Sequence, residues 1–193
     1  MMLSILIATI PGRETLFAKL MSHLWRQSVG LPVEIIYDAS AKDVMSIGAK
    51  RQRLLESAQG RYVVFIDDDD WVPDTYVEDI LEATITLPDC IGFKVEVNGM
   101  GRRKYASASN RWERWGEKVE GFDYVRTIYH KNPVLREHAL KIGYQDMRFA
   151  EDHDYSDRLK ASGLLKKEAY LDKVLYIYRY KHEPINKKFG IKR

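Results

Sequence analysis

Tyr62-Val63-Val64-Phe65-Ile66-Asp67-Asp68-Asp69-Asp70-Trp71-Val72-Pro73 decides how this chain is read. Its first five residues are a short continuous apolar run rich in β-branched and aromatic side chains, the pattern of a strand buried on both faces. Four consecutive carboxylates follow at once, and they repel one another unless solvent, a helix N-terminus or a cation offsets the charge. A solvated acidic turn that favours the start of the next helix is one reading. A hard divalent cation is the stronger one. Mg²⁺ and Mn²⁺ take oxygen ligands, and open α/β sheets bind ligands at the carboxyl ends of their strands.

Upstream, the apolar run Leu3 to Thr9 reads as a strand, and the turn Ile10-Pro11-Gly12-Arg13 leads into a helix. There Leu16, Phe17, Leu20, Met21, Leu24 and Trp25 recur at helical spacing and predict one apolar face. Gly30 and Pro32 end it. Val33 to Tyr37 reads as a second strand finishing at Asp38, and Ile47 to Ala58 as a second helix with Gly60 as its stop. This strand, helix, strand, helix, strand rhythm predicts a Rossmann-like α/β fold with a mostly parallel central sheet and helices on both faces.

Downstream, Thr75 and Glu78 have capping-box spacing for a helix running to about Thr86, and Asn98-Gly99 after Ile91 to Val97 is a hairpin signal. From Met100 to Gly121 the periodicity fades into a basic, aromatic segment read as mobile. Tyr124 to Tyr129 reads as a strand, His130-Lys131-Asn132-Pro133 as a turn and Arg136 to Ile142 as a short helix. Another helix begins at Glu151 or Asp152 and ends at Gly163. Two short strands follow, near Lys167 to Tyr170 and Val174 to Tyr178, before the basic tail Lys187 to Arg193.

The 193 residues suit a single domain, read as a half over 1–97 and a second half with tail over 98–193. A formal charge of +3 is too close to neutral to demand a nucleic-acid partner. The single Cys90 excludes an intramolecular disulfide and suits a reducing compartment. No apolar segment approaches the ~20 residues that span a bilayer. The expectation is a cytoplasmic chain whose membrane contact, if any, is peripheral.

Five segments, in order, resemble the nucleotide-sugar glycosyltransferases of the GT-A fold, specifically the family 2-like group: LSILIATIPGRE, IIYDAS, IGAKRQRLLESAQGRYVVFIDDDDWVPD, ALKIGYQDMRFAEDHDYSDRLKASG and LYIYRYKH. The resemblance spans roughly residues 2 to 182. It implies transfer of a sugar, from a UDP-sugar or similar donor, to an acceptor hydroxyl, with Mn²⁺ or Mg²⁺ as cofactor. By resemblance the DxD pair is Asp67 and Asp69, with Asp69 the direct metal ligand, Asp67 nearer the ribose or metal, and Asp68 a further candidate for the nucleotide sugar. Asp38 matches a nucleobase-binding position and Arg51 an arginine that approaches the base or diphosphate, while Thr9, Pro11 and Arg13 fall in the loop that lines the nucleotide pocket. Asp152 matches the base that deprotonates the acceptor, with Glu151 orienting it, and His182 matches a third metal ligand. A separate base and no nucleophile signature imply single displacement with inversion.

The tryptophans and arginines around Arg111-Trp112 and Arg114-Trp115 lie where this family varies its acceptor contacts; a surface hairpin whose tryptophans complete a small core is the competing reading. A glycan is the acceptor favoured. A modified DNA base, as in phage-type enzymes, is the alternative that keeps the chemistry, and a non-catalytic nucleotide-sugar or partner-binding module is the alternative that removes it.

Overall fold

The computed structural model describes residues 1–100 and 102–179, apart from the side chain of Met100. His182 and the basic tail over 187–193 lie outside the described residues.

The first half follows the alternation read from the sequence. β1 (Leu3–Ala8), α1 (Glu14–Ser28), β2 (Val33–Asp38), α2 (Ile47–Ser57) and β3 (Tyr62–Phe65) alternate, and β1 lies between β2 and β3 with both pairings parallel. Every residue of β3 is buried, as expected of a central strand covered on both faces. α3 (Tyr76–Thr84) follows the aspartates.

Beyond β3 the sheet becomes mixed. β4 (Cys90–Met100), β5 (Arg102–Ala108), β6 (Gly116–Val119), β7 (Phe122–Arg126) and β8 (Val134–Leu135) continue it, then α4 (Arg136–Ile142), α5 (Glu151–Ala161) and β9 (Glu168–Arg179). The order is β2-β1-β3-β8-β4-β5-β7-β6, with β9 parallel to β4. β8 is antiparallel to both β3 and β4, so this two-residue strand joins the parallel half to the rest. Parallel pairing extends beyond β2-β1-β3 to the β4–β9 and β5–β7 pairs. Antiparallel ladders enter with β8, β4–β5 and β6–β7. One core cluster centres on Ile5, Val64, Tyr76 and Phe93, and a second on Leu6, Leu55, Phe65 and Leu159, so β1 and β3 contribute to both.

Four local expectations are corrected. Arg102–Ala108 and Gly116–Val119, inside the segment read as mobile, are strands. Thr75 caps no backbone N–H; its hydroxyl instead donates to the Asp79 carboxylate at 2.7 Å. The two short strands after α5 are one strand, β9, whose register shifts twice against β4. On α1, Trp25 is 66% exposed while His23 is buried, stacked on Trp71 and bonded at 3.0 Å to the Val72 carbonyl.

Candidate active site

The four aspartates leave β3 as a turn closed by Asp70 N–H donating to the Asp67 carbonyl at 3.1 Å. Trp71 forms an isolated antiparallel bridge with Ile177, which staples the turn to β9. Side-chain exposure then alternates: Asp67 is 26% and Asp69 24% exposed, whereas Asp68 and Asp70 are each 1% exposed. The turn thus leaves the first and third carboxylates on the open side.

The buried pair is fully engaged. Asp68 accepts from the Thr9 hydroxyl at 2.6 Å and Arg13 Nη1 at 2.5 Å, which ties the first loop to the acidic turn. Asp70 accepts from Lys131 Nζ at 2.5 Å, the Tyr176 hydroxyl at 2.8 Å and Arg179 N–H at 2.8 Å. Lys131 also stands 3.0 Å from Asp67, so one buried ammonium serves two carboxylates. Burial would lower the Lys131 pKa, but Asp67 and Asp70 raise it well above that of an ordinary lysine. Burial likewise pushes both carboxyls up. Lys131 and Arg51 together bring Asp67 well below the usual range, while Asp70 stays raised because burial and the neighbouring Asp67 charge outweigh Lys131.

Arg51 is buried on α2 and reaches Asp67 with Nη2 at 3.0 Å and Glu151 with Nε at 3.1 Å, linking the acidic turn to the start of α5. Among the described residues its Nη1 is buried without a hydrogen-bond partner, as is His130 Nδ1. Gly48, one turn earlier on α2, lets the loop that precedes α5 pack against the helix: a Cβ there would lie 1.9 Å from the Gln145 carbonyl oxygen. α5 begins after Ala150, which has φ +62°. A non-glycine residue in that region costs about 1–2 kcal/mol, and here the left-handed turn directly precedes Glu151 and Asp152.

Asp152 accepts from Arg126 Nη2 at 3.1 Å and lies 3.8 Å from His130 Nδ1, beyond hydrogen-bond reach. His130 Nε2 is 3.5 Å from Asp67, so this imidazole stands between the two carboxylates. Burial lowers its pKa to about 3, with Arg51 adding to the effect, so the ring is neutral at pH 7. Burial alone would raise Asp152, but His130 and Arg126 draw it down to about 2. At neutral pH, with His130 uncharged, Arg126 is the partner that holds the Asp152 carboxylate ionised.

These groups face two cavities. A cavity of 480 Å³ is lined by Thr9, Arg13, Lys50, Arg148 and the aspartates Asp67, Asp68 and Asp69. Lys50 is buried, donates to the carbonyls of Thr9 and Ser40 at 2.6 Å each, and fixes the loop wall. A second cavity, of 590 Å³, is lined by Arg51, Asp67, Arg126, His130, Lys131, Glu151 and Asp152 together with several aromatic residues. Asp67 belongs to both.

The structure thus brings Thr9, Arg13, Arg51, Asp67, Asp68, Asp69, Glu151 and Asp152 to one connected region. Pro11 sits exposed in the turn between Thr9 and Arg13. Asp38 is buried at the end of β2, held by Arg53 and by Ser40 N–H at 2.8 Å, and lines a separate cavity of 410 Å³. Lys131, His130, Arg126 and Tyr176 were not singled out from the sequence, although the apolar-flanked His130-Lys131 pair before Pro133 was the available signal.

Two carboxylates open to the first cavity suit a hard cation by donor type. Among the described residues no three histidine, cysteine or acidic side chains converge as a metal site. A cation here could be held by Asp67 and Asp69, with water and phosphate oxygens completing the shell, the usual pattern for Mg²⁺.

Residues 32–142 match the sequence profile of glycosyl transferase family 2. EpsH of Bacillus subtilis (strain 168), whose own designation as a glycosyltransferase is provisional, is 24% identical over 146 residues, covering 69% of this chain and 41% of EpsH. Among solved structures, residues 1–349 of S. aureus TarS superpose with a TM-score of 0.64 at 16% identity, over 93% of this chain and 60% of that one. The same piece of TarS in complex with UDP-GlcNAc gives a TM-score of 0.66 at 14% identity, over 95% of this chain and 60% of that one. Its complex with UDP gives 0.65 at 14% identity, over 97% and 63%. The likeness to TarS is one of fold. The chain spans about four tenths of EpsH and six tenths of the TarS piece.

Proposed function

Because the chain belongs to glycosyl transferase family 2, we propose that it moves a sugar from a nucleoside diphosphate sugar, a UDP-sugar, to a hydroxyl group of a glycan, with inversion at the anomeric carbon. The observation that carries this reading is that Asp67 faces both cavities, one walled by the Thr9–Arg13 loop and the other containing Asp152. A donor lying across Asp67 would have its nucleotide in the first and its anomeric carbon open to the second. The TarS complexes with UDP-GlcNAc and UDP, which share this fold, support the donor class.

In this account the pocket loop binds the nucleotide, with Arg13 and Lys50 adding positive charge beside it. A divalent cation held by Asp69 and Asp67 would offset the charge that builds on the departing diphosphate. Arg51, with its unpartnered Nη1, is set to donate to a donor oxygen. The acceptor hydroxyl enters the second cavity and attacks the anomeric carbon. A carbon–oxygen bond forms to the acceptor, the bond to the diphosphate breaks, and the proton passes to Asp152. A carboxylate this weakly basic takes the proton late, after bond formation has made the hydroxyl acidic. Arg126 aims the carboxylate, and Glu151, held by Arg51, orients the acceptor. No helix among the described residues is long and apolar enough to cross a membrane.

Proton NMR of the first-formed product from an α-linked UDP-sugar tests the reaction. The expected product is the β anomer, whether the acceptor is a sugar or water. A product that keeps the α configuration would contradict the single displacement and the role given to Asp152.

A further inference from the structure

The 590 Å³ cavity holds more aromatic surface than the chemistry at Asp152 requires. Trp115, just before β6, is 51% exposed and stacks on Tyr124 of β7, with ring centroids 5.9 Å apart and planes at 26°. Lys104 braces Tyr124 through a 2.6 Å hydrogen bond to its hydroxyl. Phe149, 64% exposed, lines the same cavity from the loop before α5 and directly precedes the left-handed Ala150 that orients Glu151 and Asp152. The two tryptophans of this region separate by role. Trp112 donates to the Ser107 hydroxyl at 3.1 Å and lies under the Arg111 guanidinium, which makes it part of the packing, whereas Trp115 faces the cavity.

Charge decides what fits against these rings. The arginine and lysine side chains of the wall already face carboxylates: Arg126 meets Asp152, Arg51 meets Asp67 and Glu151, and Lys131 meets Asp67 and Asp70. Of the nearby arginines, Arg102 pairs with Asp123, Arg103 with Glu96 and Arg111 with Glu120. Glu117 adds a carboxylate beside Trp115. Three cations of the wall, Arg51, Arg126 and Lys131, stand against four carboxylates, Asp67, Glu117, Glu151 and Asp152, so a phosphate or uronate entering here would meet no excess of positive charge.

Resting on the transferase reading above, we propose that Trp115 and Phe149 form the acceptor subsite, and that the acceptor is an uncharged pyranose whose apolar ring face packs on them while Glu117 accepts a hydrogen bond from one of its hydroxyls. Aromatic walls with a few placed polar groups are the usual makeup of a small-molecule site.

The test measures UDP release from UDP-glucose, UDP-galactose and UDP-N-acetylglucosamine, first in water and then with p-nitrophenyl glucoside, galactoside, N-acetylglucosaminide or glucuronide, or a short single-stranded oligonucleotide. An uncharged pyranoside is expected to speed release above the hydrolysis background. Trp115→Ala is expected to raise its KM about tenfold, as loss of one stacked ring does, with hydrolysis and UDP binding unchanged and Trp115→Phe close to wild type. Acceleration by the glucuronide or oligonucleotide alone, or by none of the probes, overturns the subsite while leaving the transferase reading intact. An unchanged KM in both Trp115→Ala and Phe149→Ala overturns it as well. Absence of any UDP release from the wild type overturns the transferase reading and this subsite with it.

Discussion

Asp152→Asn lowers kcat for transfer by about 10³-fold, within the range a positioned general base contributes, and leaves the affinity for UDP unchanged. The substitution keeps the side-chain shape and an oxygen for Arg126 Nη2 to bond, so the start of α5 stays in place. What it removes is the capacity to accept a proton. Stopped or steady-state assays of UDP release with acceptor read the loss, and calorimetry with UDP reads the preserved donor site. The wild-type pH profile carries the same signature. With the Asp152 pKa drawn down to about 2, this carboxylate is ionised throughout the ordinary range and contributes no acid limb above about pH 4. The stability it contributes has the sign of a depressed acid: present above its unfolded pKa near 3.9 and lost as pH falls through about 2. Full activity in a correctly folded Asp152→Asn protein would remove the base from the account.

Lys131→Met lowers stability by about 3–5 kcal/mol, the cost of stripping one partner from a buried ion pair. For a chain of this size that is a fall in melting temperature of about 10 °C. Lys131 is buried, and among the described residues its loss leaves Asp70 with the Tyr176 hydroxyl and the Arg179 N–H, at a carboxyl whose pKa is already raised. Thermal unfolding of Lys131→Met, Asp70→Asn and the double variant reads the coupling. The double variant is expected to be more stable than the sum of the single losses implies, because removing both charges leaves none buried alone. Strict additivity would mean that Lys131 does not act through Asp70. Because the same ammonium lies 3.0 Å from Asp67, the single variant is also expected to loosen the turn that presents Asp67 and Asp69.

These two residues differ in how far the sequence exposed them. Asp152 stands at the start of a helix in an acidic pair, where both pattern and resemblance point to it. Lys131 sits in a four-residue turn and acquires its meaning only when β8 pairs with β3 and brings it against Asp70, 61 positions away. The first half of the fold was legible because its strands are continuous apolar runs and its helices keep helical period. Buried on both faces, β3 needed no polar alternation to identify it. β5 and β6 were not legible, because exposed positions on an antiparallel hairpin carry arginine, lysine and glutamate, and that composition imitates a loop. Asp172-Lys173 interrupted the apolar pattern of β9 in the same way; the chain absorbs them as register shifts within one strand. Arg51 could be read as an ordinary exposed helix residue, since nothing local reveals that Asp67 and Glu151 draw it inward. Among the four aspartates, composition alone left the register open, and the alternation of exposure along the turn distinguishes them.

Calorimetric titration of UDP, with GDP and dTDP in parallel, into the wild type and Asp69→Ala, each with and without Mn²⁺, decides whether the acidic turn binds a nucleotide together with a metal. The expected result is one UDP bound per chain, binding strengthened at least about tenfold by Mn²⁺, and loss of that strengthening in a folded Asp69→Ala protein. Heat from Mn²⁺ alone, with no nucleotide bound under any condition, would contradict the account and leave the four aspartates as a cation-binding turn on an α/β fold.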